Sequence, residues 1–222
     1  MKLYQEIGLL INKDISLEWR NRYAINGILL YTAASIFICY LSFQMGAAVS
    51  PIIWNALFWI IMLFSAMNAI AKSFFQENDQ RNFYYYQITS PQGLILSKII
   101  YNSFLMLLLC LLGYGFFSLI LGNPVQDRAL YFLILLLSSF GFAGSLTMIS
   151  GIASKAGNNS VLMAILSFPV MLPMLLMIIK ASKNAIDGLD RASSLDEIIV
   201  LLAINVIIIT LSFLLFPYLW RS

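Results

Sequence analysis

Histidine is absent from all 222 residues. Its absence removes the commonest metal ligand, the usual general base and the usual axial ligand of haem iron. Cysteine is scarce. Cys39 and Cys110 each sit inside an apolar run, form neither a CxxC pair nor a disulfide framework, and read as small buried hydrophobes. Charge is scarce too. Only 10% of residues are charged and 61% are hydrophobic, whereas a soluble domain carries about a quarter charged residues. Such a chain cannot wet its own surface, and its class is integral membrane. The net charge of +3 comes without a basic stripe, so no nucleic-acid partner is implied. No GxxxxGK[ST] phosphate loop is present, because "GIASKAGNNS" has glycines and a Lys at the wrong spacing. Met1 and Lys2 are not followed by a short apolar core with a cleavage site, so the first span is expected to be an uncleaved anchor.

What is present is a series of long charge-free runs. Tyr23 to Ala71 carries no charge, more than twice the roughly 20 residues a helix needs to cross. It holds two spans, broken near Gln44, Gly46, Ser50 and Pro51, since Pro suits the start of a new helix. Further charge-free runs occupy 99–126, 129–154, 156–179 and 198–220. The expectation is an all-α integral membrane fold: one transmembrane domain over 1–222, with six transmembrane helices near 24–43, 51–71, 99–122, 129–153, 161–179 and 198–218. Lys and Arg set its orientation. The side with both termini collects Lys2, Lys13, Arg20, Arg22, Lys72, Arg81, Lys98, Lys155 and Arg221, and the other side has Arg128, Lys180, Lys183 and Arg191. Both termini are therefore expected in the cytoplasm.

Several segments carry functional interest. In the N-terminal stretch 1–23, Leu3, Ile7, Leu10 and Ile11 recur at helical spacing among Gln5, Glu6, Asn12 and Lys13. This reads as an amphipathic interfacial helix at the cytoplasmic surface, followed by the interface anchors Trp19, Arg20, Arg22 and Tyr23. "SFFQENDQRNFYYYQITSPQG" at 73–93 is a polar and aromatic island between apolar walls. It reads either as an aromatic belt around a loop or as a knob projecting into the cytoplasm for a soluble partner. Pro169 and Pro173 lie four apart in the fifth span, so a kink is expected there, and Met163, Met171, Met174 and Met177 surround it as packing or as contacts to a flat apolar ligand. Gly141 and Ser145 have the small-xxx-small spacing of close helix packing, within the subunit or across a dimer, and Ser118 and Gly122 repeat it. Ser194 and Glu197 have capping-box spacing. Asn55, Asn68, Asn102 and Asn205 are expected to hydrogen-bond between helices. The middles of the spans contain no ionisable side chain, where a proton- or ion-coupled transporter usually keeps one. Energy for work against a gradient must then come from another subunit.

Three segments resemble the CcmB family, the haem exporter protein B membrane subunits of the cytochrome c maturation ABC transporter. They are "KDISLEWRNRY" at 13–23, "FFQENDQRNFYYYQITSPQGLILSKIIYN" at 74–102 and "SKAGNNSVLMAILSFPVMLPMLL" at 154–176. Length, span number and motif order extend the resemblance over essentially the whole chain. Two departures are Asn82, where the family often has Gly, and Asn158, Asn159 and Ser160, where it often has Arg-Gly-Gly.

The resemblance implies an ABC-2-type exporter-like permease domain of the bacterial inner membrane without its own ATPase. It implies a cytoplasmic CcmA-like ATPase, CcmC-like and CcmD-like membrane subunits, a CcmE-like haem chaperone outside, and two copies per complex. On that pattern Gln76, Glu77, Asp79, Gln80, Arg81, Asn82, Phe83 and Tyr84 hold the ATPase contact as a coupling helix, with the N-terminal helix beside them. Haem is implied as a transported substrate, with no covalently bound cofactor; no metal ligands and no haem-binding residues are assigned. Two alternatives have residues of much the same kind: an ABC-2 permease for another amphipathic substrate, and a membrane assembly scaffold that moves nothing. No nucleophile–base pair favours an enzyme.

Overall fold

The computed structural model describes residues 3–20, 22–43, 49–75, 89–156 and 160–221, and no strand occurs among them. The helices are α1 (Leu3–Arg20), α2 (Arg22–Phe43), α3 (Pro51–Phe75), α4 (Pro91–Leu121), α5 (Arg128–Lys155), α6 (Ser160–Ile186) and α7 (Leu195–Arg221), with a 3₁₀ turn at Arg191–Ser194. Six of them, α2 to α7, are long and apolar enough to cross a membrane. From α2 to α7 successive helices alternate in direction, and α1 runs in the direction of α4. One end of the bundle, here the near end, carries α1, the start of α4 and the end of α7; the far end carries the turns at 122–127 and 187–194.

Helix starts follow from local chemistry. α3 and α4 begin with Pro51 and Pro91, where a missing N–H costs nothing. The Ser90 hydroxyl accepts from Gly93 N–H at 3.1 Å and the Asp127 carboxylate from Leu130 N–H at 3.0 Å, each satisfying an orphan donor. α4 begins ahead of Lys98, although the charge-free run begins after it. The Lys98 side chain is 3% exposed and its ammonium lies 4.9 Å from the centre of the Phe74 ring, a cation–π contact that lets one charge sit inside the packed bundle. α6 likewise continues past Lys180 and Lys183 to Ile186, because both lysines sit in its final turns.

α5 is the hub: two thirds of its span is buried, against about a sixth of α2 and of α7. α3, α4, α6 and α7 all pack on it. Its small residues permit this approach, and its hydroxyls bond back to their own helix, Ser138 to Ile134 O at 2.6 Å and Ser139 to Leu135 O at 2.7 Å. Toward the far end the core is aromatic. Trp54, Phe58 and Trp59 of α3 meet Tyr114 and Phe117 of α4 and Tyr131 and Phe142 of α5, with Trp54 to Phe117 at 4.9 Å and Tyr114 to Tyr131 at 5.2 Å between centroids. Such edge and tilted contacts add to burial about 0.5–1.5 kcal/mol each. A smaller cluster holds the near end: Leu10, Phe74, Leu94, Ile95, Ile99 and Phe216.

Polar ties join the far-end turns. Trp54 donates its indole N–H to Gly122 O at 2.9 Å, and Gly122 leaves α4 at φ +80, a conformation that suits glycine. Asp127 N–H donates to Ala185 O at 2.9 Å. The Asp127 carboxylate also receives both Nε and Nη2 of Arg191, at 2.7 and 3.1 Å. Donation from Arg191, with Leu130 N–H second, holds its pKa down at about 2. A depressed carboxylate stabilises the fold above its ordinary pKa, and that contribution disappears as pH falls through the depressed value. The thermal midpoint of the wild type should therefore exceed that of Arg191→Ala at pH 5 to 7, and the two should converge between the ordinary 3.8 and about 2. A difference that is unchanged at the acid limit would show that the ion pair is not its source.

Candidate functional site

The near end brings α1 against the start of α4. The half-buried face of α1 comprises Glu6, Ile7, Leu10, Ile11, Lys13, Asp14, Leu17 and Glu18, while Leu3, Tyr4, Leu9 and Ile15 are exposed. Apolar side chains thus line both faces, and the acids point to the protein. Glu6 accepts from Ser90 N–H and from the Ser90 hydroxyl. Leu10 enters the near-end cluster. Glu18 hydrogen-bonds Tyr101, three turns into α4. α1 and α4 therefore run side by side in the same direction, joined at Glu6, Leu10 and Glu18. Lys13 and Asp14 form an ion pair at 3.1 Å within α1.

The proposed partner contact at Gln76, Glu77, Asp79, Gln80, Arg81, Asn82, Phe83 and Tyr84 lies outside the described residues. Its borders do not: the chain leaves α3 at Phe75 and is described again from Thr89, one residue before the Ser90 that Glu6 holds. Among the described residues no group of three or more His, Cys, Asp and Glu is placed to hold a metal ion.

The family model described as CcmB protein matches residues 5–218. The chain belongs to the CcmB family. No curated protein matches it. CcmB proteins are ABC-2-like permease subunits of the cytochrome c maturation system, and six span-length helices make this member a multi-pass membrane protein.

The other residues that the sequence singles out are divided between two polar knots in this CcmB bundle and the surface. Gly141 and Ser145 face the interior of the subunit. A Cβ on Gly141 would stand 2.6 Å from Met174 Sδ and 3.5 Å from Asn205 Oδ1, and one on the neighbouring Gly144 would stand 3.1 Å from Ile208. The stripe thus seats α6 and α7 on α5. Asn205 donates to Leu137 O at 3.2 Å and to Leu201 O at 2.8 Å, yet its Oδ1 and the Ser145 hydroxyl have no partner. Pro169 and Pro173 lie inside α6 and are exposed, while Met163, Met171 and Met174 are buried. The methionines therefore pack inward and the proline rings face away from the bundle. α6 remains helical through both prolines.

The second knot is fully satisfied. The Ser182 hydroxyl accepts from Trp59 Nε1 at 2.9 Å and lies 2.9 Å from Asn55 Oδ1, and Asn55 Nδ2 donates to Ile179 O at 2.9 Å. Asn102 donates to Thr147 across α4 and α5 at 2.8 Å. Among the described residues, Asn68 bonds back to Phe64 O of its own helix, at 3.0 Å. The Ser194–Glu197 capping box does not form. Ser194 lies in the 3₁₀ turn, not in the extended conformation of an N-cap, and its hydroxyl is unpartnered; Glu197 pairs with Lys180 at 2.8 Å.

Sequence reading missed Glu6 and Ser182. Ser182 gave no pattern to find. Glu6 had a signal in the helix it caps: "SPQG" offers a Ser N-cap with glycine where a capping box has Glu or Gln.

The two knots predict opposite outcomes. Ser182→Ala should destabilise the protein by about 1–3 kcal/mol, since it leaves buried polar groups of Trp59 and Asn55 unmatched. Ser145→Ala removes an unpartnered hydroxyl and should be neutral or stabilising. Thermal unfolding of both variants in one detergent decides, and a reversed order would refute the assignment.

Proposed function

We propose that this CcmB-family chain is the permease subunit of an inner-membrane ABC complex that moves haem or couples ATP hydrolysis to release of the haem-loaded chaperone. One observation carries the reading: the family match covers 5–218 of a six-span bundle that has neither a phosphate loop nor an ionisable group in its span middles. Work by such a chain needs hydrolysis on a partner, here a CcmA-like ATPase. The Lys and Arg distribution supports placing the near end, with both termini, in the cytoplasm. CcmC-like and CcmD-like subunits, a CcmE-like chaperone and a second copy of this chain complete the proposed complex.

In this reading Gln76 to Tyr84 meet the ATPase. The segment joins α3 to α4 at the near end and concentrates polar groups that a soluble partner can bind. Asp79→Ala with Arg81→Ala should weaken co-purification of the ATPase without affecting membrane insertion; full retention of the ATPase would sink the coupling role. The transport role has a separate test. The purified complex in proteoliposomes should move haem across the bilayer only when ATP is hydrolysed. Chaperone release with no haem movement would instead identify a scaffold.

A further inference from the structure

In a capping box the third helical residue sends a carboxylate or amide back to the backbone N–H of the N-cap residue. α4 cannot do this, because Gly93 occupies that place. Ser90 supplies the forward half of the box by accepting from Gly93 N–H at 3.1 Å. The return half arrives from another helix: Glu6 of α1 accepts from Ser90 N–H, and its second oxygen lies 3.0 Å from the Ser90 hydroxyl. A Cβ on Gly93 would lie 2.8 Å from Ser90 Oγ and 2.9 Å from both Glu6 Cδ and Glu6 Oε1. The glycine therefore leaves room for the Ser90 hydroxyl and the foreign carboxylate together, and the carboxylate sits at the positive end of the 31-residue helix α4.

We propose that Glu6 is a positioning residue that completes the α4 cap in trans, so that α1 and α4 respond together when a partner engages Gln76 to Tyr84. The proposal rests on the reading that this segment meets the ATPase. A cap supplied by residue 93 itself would leave α1 independent. The trans arrangement instead ties α1 to Ser90, on the α4 side of the segment. Leu10 in the near-end cluster and the Glu18–Tyr101 bond continue the attachment along α1, which makes α1 an arm fixed along its length.

The test separates capping from coupling. In the purified ABC complex in lipid nanodiscs, Glu6→Ala should retain the ATPase subunit and the KM for ATP. The kcat for ATP should fall by about 2- to 30-fold, the range of mutational coupling effects. Glu6→Gln, which keeps an acceptor for Ser90 N–H, should stay close to wild type. Glu6→Ala with Gly93→Glu rebuilds the box within α4 and should recover thermal stability but not kcat. Wild-type kcat in Glu6→Ala, loss of the ATPase from that complex, or recovery of kcat in the double variant would each overturn the proposal. Gly93→Ala, which crowds both the Ser90 hydroxyl and the carboxylate while keeping Glu6, should lower kcat in the same way and is read instead if Glu6→Ala yields no folded protein. Retention of the ATPase by the Asp79 and Arg81 variant is a different result: it removes the coupling-segment reading, not the trans cap.

Discussion

A helix in hydrocarbon satisfies its own backbone everywhere except at its ends, where the first N–H and last C=O groups have no partner within the helix. The joints of this bundle are built on that constraint. Asp127 caps α5 with its carboxylate, holds Arg191 with the same group and donates its own N–H to the end of α6. Trp54 of α3 covers a carbonyl just past α4. Glu6 covers the N-terminus of α4 from α1. Groups that close one helix end thus also bind a second element, so capping and tertiary assembly are the same interactions.

The two ends of the bundle use this differently. The far end combines the caps with a wedge of seven aromatic side chains from α3, α4 and α5, and with the Asn55–Ser182–Trp59 knot that ties α3 to α6. The near end has a smaller apolar cluster and a borrowed cap. The proposed partner segment opens at this less heavily tied end. The arrangement suits a subunit that receives work there and keeps its far end intact. Between the ends, Ser145 and Asn205 leave polar atoms unpartnered beside Met174, a weak point in the α5–α6–α7 packing where the proline pair of α6 is also found.

Much of the fold was legible because a bilayer punishes charge. Long charge-free runs mark spans, and Pro51 marks a helix start for the reason that Pro lacks an N–H. The boundaries failed where a charge is covered or sits in a helix's last turns, as with Lys98 under Phe74 and Lys180 in α6. The amides Asn55, Asn102 and Asn205 do bond between helices, since little else satisfies them there. Asn68 found a carbonyl one turn back instead. Ser194 shows how a motif fails: its spacing was right, but a 3₁₀ turn removed the extended backbone that an N-cap needs.

The sequence by itself determined the class, the number of spans and the family, because hydropathy, charge gaps and segment order are properties of the chain read in a line. Only the tertiary structure decided which small residues face which helix, whether the methionines point inward, and where the cap of α4 comes from. Those depend on groups distant in sequence meeting in space. Glu6 and Ser90 are 84 residues apart, and in the linear chain their only shared trace is a glycine standing where a glutamate was due.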